Sequence, residues 1–286
     1  MSSSTELHRE WNTKNLGLRL GADFTSAASA ASIIAPFISF VDRAIMENAS
    51  GRNTLSASLK TSLRTLLLHP PRTLFSKPVA LIFMLYGGTY LTANTLDTLT
   101  STLRNQPASH ITTGTAKFAA SSTANVGLCV YKDQFYVRAY GPLTTTTVRP
   151  VALPSYLLFT LRDCLTIFAS FNVPPLLGPL LSERMSSSLQ HHLSGTTVAQ
   201  FAAPAAVQLF STPIHLLGLD LYNRPTTTTT TGSGLARDPS WRSRWAQIRK
   251  NWASSTLARI CRIIPAFGVG GTVNTKVRRN LMERLA

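Results

Sequence analysis

Apolar residues run in six long stretches, at about 24–41, 78–99, 113–130, 151–181, 197–219 and 254–272, divided by polar connectors. Each is long enough for a helix to cross the hydrocarbon core of a bilayer, which takes roughly 17–25 residues. Two stretches and the connector between them recur about every 88 residues. Pro36, Asn125 and Pro213 stand at comparable places in the first, third and fifth. The pattern predicts an all-α membrane protein of six transmembrane helices in three pseudo-symmetric two-helix repeats, residues 20–106, 107–194 and 195–286, after a tail at 1–19.

Two connectors carry a one-sided helical pattern. Leu55, Leu59, Leu63 and Leu66 share a face, with Asn53 or Thr54 placed to cap the start and Pro70 and Pro71 to stop it. Trp241, Trp245, Ile248 and Trp252 follow the same spacing among arginines, after Asp238, Pro239 and Ser240. Helices of this kind suit the membrane interface; packing on a partner domain is the alternative. Residues 131–149 offer no counterpart, and the tract from Thr226 to Gly234 is a low-complexity insertion.

Composition agrees with a bundle in lipid. Only 14% of the chain is charged, against about 25% in soluble proteins. The mean hydropathy of +0.09 is modest, because Ala, Ser, Thr and Gly dilute the apolar stretches and allow close helix contact. A net charge of +16 invites a nucleic-acid reading, but its distribution points to a membrane. Arg43, Arg52, Lys60, Arg64, Arg72 and Lys77 fall in the first connector, Lys132, Arg138 and Arg149 in the third, and Arg224, Arg237, Arg242, Arg244, Arg249 and Lys250 in the fifth. The second and fourth are nearly neutral, so the basic loops share one side, as the positive-inside tendency requires. Lys276, Arg278, Arg279 and Arg284 are the exception. Nucleic acid is therefore not an expected partner.

Cys129, Cys164 and Cys261 lie in or beside apolar stretches, without metal-ligand spacing, and read as buried small hydrophobes. The histidines are isolated, apart from the neighbours His191 and His192. No phosphate loop, nucleophile elbow or spaced carboxylate pair occurs, so no catalytic residue, metal or cofactor is expected and the chain does not read as an enzyme. Residues 1–20 lack the pattern of a secretory signal or a mitochondrial presequence.

With three two-span units joined by basic connectors, the chain resembles the mitochondrial carrier family over residues 20–286. LRDCLTIFASF at 161–171, LARICRIIPAFGVG at 257–270 and FSTPIHLLGLDL at 210–221 carry the local likeness. The family's charges after the odd-helix prolines are replaced: Pro36 is followed by Ile38 and Val41, Pro213 by His215 and Gly218, and Asn125 by Gly127 and Val130. Asp42 with Arg43, and Asp220 with Arg224, lie near enough to substitute. The resemblance implies a monomer in the mitochondrial inner membrane, multi-pass and in contact with anionic lipid such as cardiolipin, that moves a small solute by alternating access.

Ionisable residues at membrane depth are costly and tend to face a wet cavity or a partner. Arg162, Asp163, Arg259 and Arg262 are the candidates, and the resemblance places Arg162, Asp163 and Arg262 at substrate contacts. Guanidinium forks bind carboxylates through paired hydrogen bonds, so the expected solute is a small anionic, carboxylate-like metabolite. The bland alternative pairs Arg162 with Asp163 or with a neighbouring helix, as a bond that holds the bundle together. A further one is a bundle that has lost transport and serves as a membrane adaptor or assembly protein. Gly87 and Gly88 read as close-packing positions, and Asn94 and Asn274 as capping or interhelical bonds.

Overall fold

A computed structural model describes residues 11–112, 115–142, 151–171, 173–186, 188, 190, 195–224 and 239–285. The Thr226–Gly234 tract and the His191–His192 pair lie outside these residues. Every regular element among them is helical: α1 (Leu16–Ala49), α2 (Leu55–Leu68), α3 (Pro70–Leu74), α4 (Lys77–Leu103), α5 (Thr115–Tyr140), α6 (Leu153–Phe171), α7 (Val173–Arg184), α8 (Gly195–Asn223), α9 (Trp241–Ile263) and α10 (Gly270–Glu283).

The long helices pack in order. α1 lies on α4, α4 on α5, α5 on α6, α6 on α8, α8 on α9, and α9 and α10 return to α1, so the series closes on itself. One apolar cluster joins them, with Ile34 and Ile38 of α1, Ile82 of α4, Tyr136 of α5, Phe159 of α6, Leu216 and Leu219 of α8 and Ile248 of α9. The outside is also apolar. Phe24, Ile33, Phe37, Leu153, Leu157, Leu161, Phe168, Phe210 and Leu257 are exposed, whereas Asp23, Asp42, Lys132, Asp133, Arg162 and Arg259 are buried. An apolar exterior around a charged interior is the arrangement that lipid, not water, favours.

Against six expected crossings, three helices among the described residues are long and apolar enough to span a membrane: α1, α4 and the Phe201–Asn223 part of α8. The other stretches depart from expectation for identifiable reasons. Lys117, Lys132, Asp133 and Arg138 dilute α5, which runs on to Tyr140 and so absorbs part of what reads as a connector. The 151–181 stretch is two helices, and α7 holds Pro174 and Pro175 in its first turn, where proline is tolerated. The Trp241–Trp252 segment is no separate surface helix; it is the first half of the continuous α9. Trp241 and Trp245 are exposed on it, and Ile248 is buried.

After α9 the chain passes into a π-helical turn at Ile264–Val269 and then α10. Pro265 has no N–H to continue the α-helical ladder, which accounts for the wider turn there. Tyr90 Oη of α4 donates to the Ala266 carbonyl at 2.7 Å, so a carbonyl of this turn is satisfied from a neighbouring helix. Such repair is what lets proline stand inside a membrane helix.

α2 is capped by Thr54, whose Oγ1 accepts the Ala57 N–H at 3.3 Å. Its small residues Ser58 and Ser62 face inward, and Leu63, Leu67 and Leu68 face out, as an interfacial helix demands. Gly87 and Gly88 are close-packing positions: a Cβ would meet Ala31 Cβ at 3.5 Å and Leu128 Cδ1 at 2.7 Å respectively. At Gly270 a Cβ would lie 2.6 Å from Tyr90 Oη and 2.9 Å from Ile34 Cδ1. Gly270→Val should therefore wedge α10 from α1 and α4, with a loss of about 1–3 kcal/mol. The check is a lower thermal midpoint in detergent; an unchanged midpoint contradicts this packing.

Candidate functional site: a buried ionic seam

Four helices bring charge to one interior region, and a fifth brings a histidine. Asp42 stands on α1, Lys132 and Asp133 on α5, Arg162 and Asp163 on α6, His215 on α8, and Arg259 and Arg262 on α9. Asp42 accepts Lys132 Nζ at 2.8 Å and Arg262 Nη1 at 2.5 Å. Lys132 Nζ also lies 2.7 Å from Asp133 Oδ1. Asp133 Oδ2 accepts Arg162 Nη2 at 2.6 Å, and Arg162 Nη2 lies 2.7 Å from Asp163 Oδ1. Arg162 Nη1 donates to His215 Nδ1 at 3.1 Å. A guanidinium N–H needs a lone pair at Nδ1, so in this contact the ring proton belongs on Nε2.

The sequence sets up this convergence by helical spacing. Cys129, Lys132, Asp133 and Tyr136 lie three or four residues apart and form the buried side of α5. Gln208, Ser211, Thr212 and His215 do the same on α8, and Ser255 and Arg259 on α9, where the half-buried Arg262 follows at the same spacing. Apolar residues fill the positions between them and form the outer faces. Each helix is thus amphipathic with its polar side inward.

Asp42, Asp133 and Asp163 balance Lys132, Arg162 and Arg262. Arg259 is left over. Its side chain is 2% exposed, and among the described residues its side-chain partner is neutral: Nε donates to Gln208 Oε1 at 2.8 Å. Gln208 is fixed in turn, as its Nε2 donates to the Pro204 carbonyl at 2.9 Å and its Oε1 accepts Ser211 Oγ at 3.1 Å. Thr212, Ser255 and Thr256, on the same two helices, hold buried hydroxyls without a hydrogen-bond partner among the described residues. A buried guanidinium lacking a carboxylate and several unsatisfied hydroxyls cost free energy in a merely structural role. They can bind a small solute that brings a carboxylate and neutral hydrogen-bonding groups.

All four residues singled out in the sequence fall in the seam, in different states. Arg162 is held by Asp133 and Asp163, and Arg262 by Asp42, so neither is an open anion clamp; Arg259 alone of the three arginines has no acidic partner among the described residues. Lys132, Asp133, Gln208 and His215 were not legible as site residues. The first two read as connector charges because the apolar run ends at Val130, and His215 read as an isolated histidine. The three-and-four spacing on α5 and α8 is the signal that marks them. The expected Asp42–Arg43 substitute pair does not form: Arg43 Nε binds Glu47 at 2.8 Å instead. Asp220 does pair with Arg224, and also with Arg244 at 2.6 Å.

Among the described residues no group of acidic, histidine and cysteine side chains could hold a metal ion. Cys129 is buried, but Cys164 and Cys261 are exposed on the apolar exterior, against the expectation that all three are interior.

A family model described as a probable citrulline exporter matches residues 26–282. No curated protein matches the chain. No mitochondrial carrier model is matched, so the resemblance to that family is corrected, and with it goes the basis for a mitochondrial inner-membrane location. The misreading has a physical origin. Basic loops on one face, prolines in spanning helices and intramembrane arginines answer demands common to many helical transporters. The replaced charges after Pro36 and Pro213 were the features of the chain that spoke against carriers.

Removing the Asp42 carboxylate takes the acidic partner from Arg262 and leaves Lys132 with Asp133 alone, so the seam holds one cation in excess. Asp42→Asn should cost about 3–5 kcal/mol, the range for breaking a buried pair. Adding Lys132→Met should recover part of the loss by removing the excess cation. Thermal unfolding of both variants in detergent tests this; equal midpoints for the two contradict it.

Proposed function

Because this chain belongs to the probable citrulline exporter family, we propose that it carries citrulline, or a neutral amino acid of similar shape, across a membrane through the seam between α8 and α9. The observation that supports the reading is Arg259, a buried guanidinium whose described partner is a neutral amide. Citrulline has an α-carboxylate, an α-ammonium group and a neutral ureido group, and is uncharged overall. Its carboxylate would take the fork of Arg259 through charge-assisted hydrogen bonds. The ureido group would use hydroxyls such as Thr212, Ser255 and Thr256, and the ammonium group the acidic side of the seam, at Asp163. The solute is thus zwitterionic, not the anion first expected from the arginines.

Arg162 and Arg262 act in this scheme as locks. Their bonds to Asp133, Asp163 and Asp42 join α1, α5, α6 and α9, and the helices rock apart only when these pairs exchange partners. A zwitterion offers both signs of charge for such an exchange, which lets the seam face one side of the membrane and then the other. Transport by alternating access follows without a net charge crossing on the solute. A scaffold that had lost transport would be served better by an apolar side chain at position 259.

Binding should be visible without flux. At a hundredfold excess over Kd, a ligand specific to the folded state adds about 2.7 kcal/mol of stability. Citrulline should therefore raise the thermal midpoint of the purified protein. Arg259→Met should raise the midpoint without ligand, because it removes an unpaired buried charge, and should abolish the citrulline shift. A shift of equal size in Arg259→Met and in the parent protein contradicts the assignment.

A further inference from the structure

A second polar cluster lies at the opposite end of α1. Asp23 and Asp42 are separated on that helix by a rise of about 28 Å at 1.5 Å per residue, close to the roughly 30 Å thickness of the hydrocarbon core. Asp23 accepts Arg278 Nε of α10 at 2.7 Å and Thr98 Oγ1 of α4 at 2.6 Å. Asn94 of α4 and Asn274 of α10 exchange amide hydrogen bonds at 2.8 and 3.0 Å, an interhelical bond as their positions suggest. Arg278 read as a tail charge from the sequence, yet it is buried here.

Beside this cluster is a cavity of about 100 Å³ whose wall includes Asn94, Asp97, Lys117, Asn274, Arg278 and Arg279. Its acidic group is already occupied. Asp97 accepts Lys117 Nζ at 2.8 and 2.7 Å and the Thr112 N–H at 2.8 Å. Its cations are occupied only in part: Lys117 is held by Asp97, and Arg278 is held through Nε by Asp23 and through Nη2 by Thr98. Arg278 Nη1, however, lies 3.9 Å from Asp97, beyond hydrogen-bond distance, and Arg279 is exposed and makes no ion pair among the described residues. The wall therefore carries more positive than negative charge, with guanidinium donors to spare. A concave, low-dielectric surface of one sign concentrates ions of the other.

We infer that this cavity is a second binding site, a vestibule that takes the carboxylate end of a small solute on Arg278 and Arg279, one membrane thickness away from Arg259. The inference rests on the proposed transport only for the identity of the solute. The volume suits the carboxyl end of an amino acid and leaves the side chain outside. In that position the vestibule raises the local concentration of carboxylate-bearing solutes at one mouth of the bundle. A weak, solvent-open site suits this task, because a tight one would delay release.

Thr275 and Ser109 also line the cavity and are exposed, so each can carry a reporter thiol. In a background of Cys129→Ser, Cys164→Ser and Cys261→Ser, the variants Thr275→Cys and Ser109→Cys are labelled with an anionic and a cationic methanethiosulfonate of similar size. The anionic reagent should react about tenfold faster, at the low end of electrostatic focusing in charged clefts. Citrulline and acetate should slow that reaction, and citrulline amide should not. Arg279→Gln, an exposed change, should narrow the preference between reagents. Equal rates for the two reagents at both positions, or protection by the amide as strong as by the acid, would overturn the vestibule. Protection by acetate in a protein that moves no citrulline supports the vestibule and removes the transport reading; citrulline transport with no protection by either acid does the reverse.

Discussion

A charge buried at membrane depth must find an opposite charge, and Asp42 shows how far that requirement organises this molecule. Its two oxygens hold Lys132 of α5 and Arg262 of α9, so a single carboxylate on α1 joins three helices that are distant in sequence. From Lys132 the pairing runs to Asp133, Arg162 and Asp163, and a hydrogen bond continues it to His215. Lipid provides no hydrophobic drive for helices to associate, so bonds of this kind specify which helix lies beside which. The apolar cluster around Ile38, Tyr136 and Phe159 then packs against a framework that the ion pairs have set.

The same framework can open. Ion pairs differ from packed apolar contacts in that a solute bearing charge can replace one partner without leaving the other bare. A scaffold meant only to be stable would gain from replacing buried pairs by apolar side chains of similar volume. Retention of so many charges in so apolar a shell, together with Arg259 beyond the balanced set, is better explained by exchange with a charged ligand. Small residues serve the motion as well as the packing. Gly87, Gly88 and Gly270 keep α4 and α10 close to their neighbours, and smooth contacts slide more readily than interlocked ones.

Much of the fold was legible in residue periodicity. The apolar runs located every long helix, the prolines at 70 and 71 marked the end of α2, and Thr54 capped it. The reading erred where charge and helix coincide. α5 runs ten residues beyond its apolar run because Lys132 and Asp133 are interior, and α9 starts well before its own because Arg244 and Asn251 face inward. Hydropathy cannot distinguish a charge that ends a helix from one that pairs inside a bundle; only the three-and-four spacing of the polar side can. The site was legible in part for the same reason. Arginines flanked by apolar residues stand out, whereas Gln208 and His215 matter through partners contributed by other helices. The family was misjudged because shared demands of membrane insertion imitate shared descent.

The central claim is that the charged seam is a route for a zwitterion. It is tested most directly by counterflow of labelled citrulline into liposomes that contain the purified protein and are loaded with unlabelled citrulline. The account predicts saturable uptake, accelerated by internal citrulline and suppressed by external citrulline but not by its amide. Uptake no faster than in protein-free liposomes, with the protein folded and inserted, would contradict it.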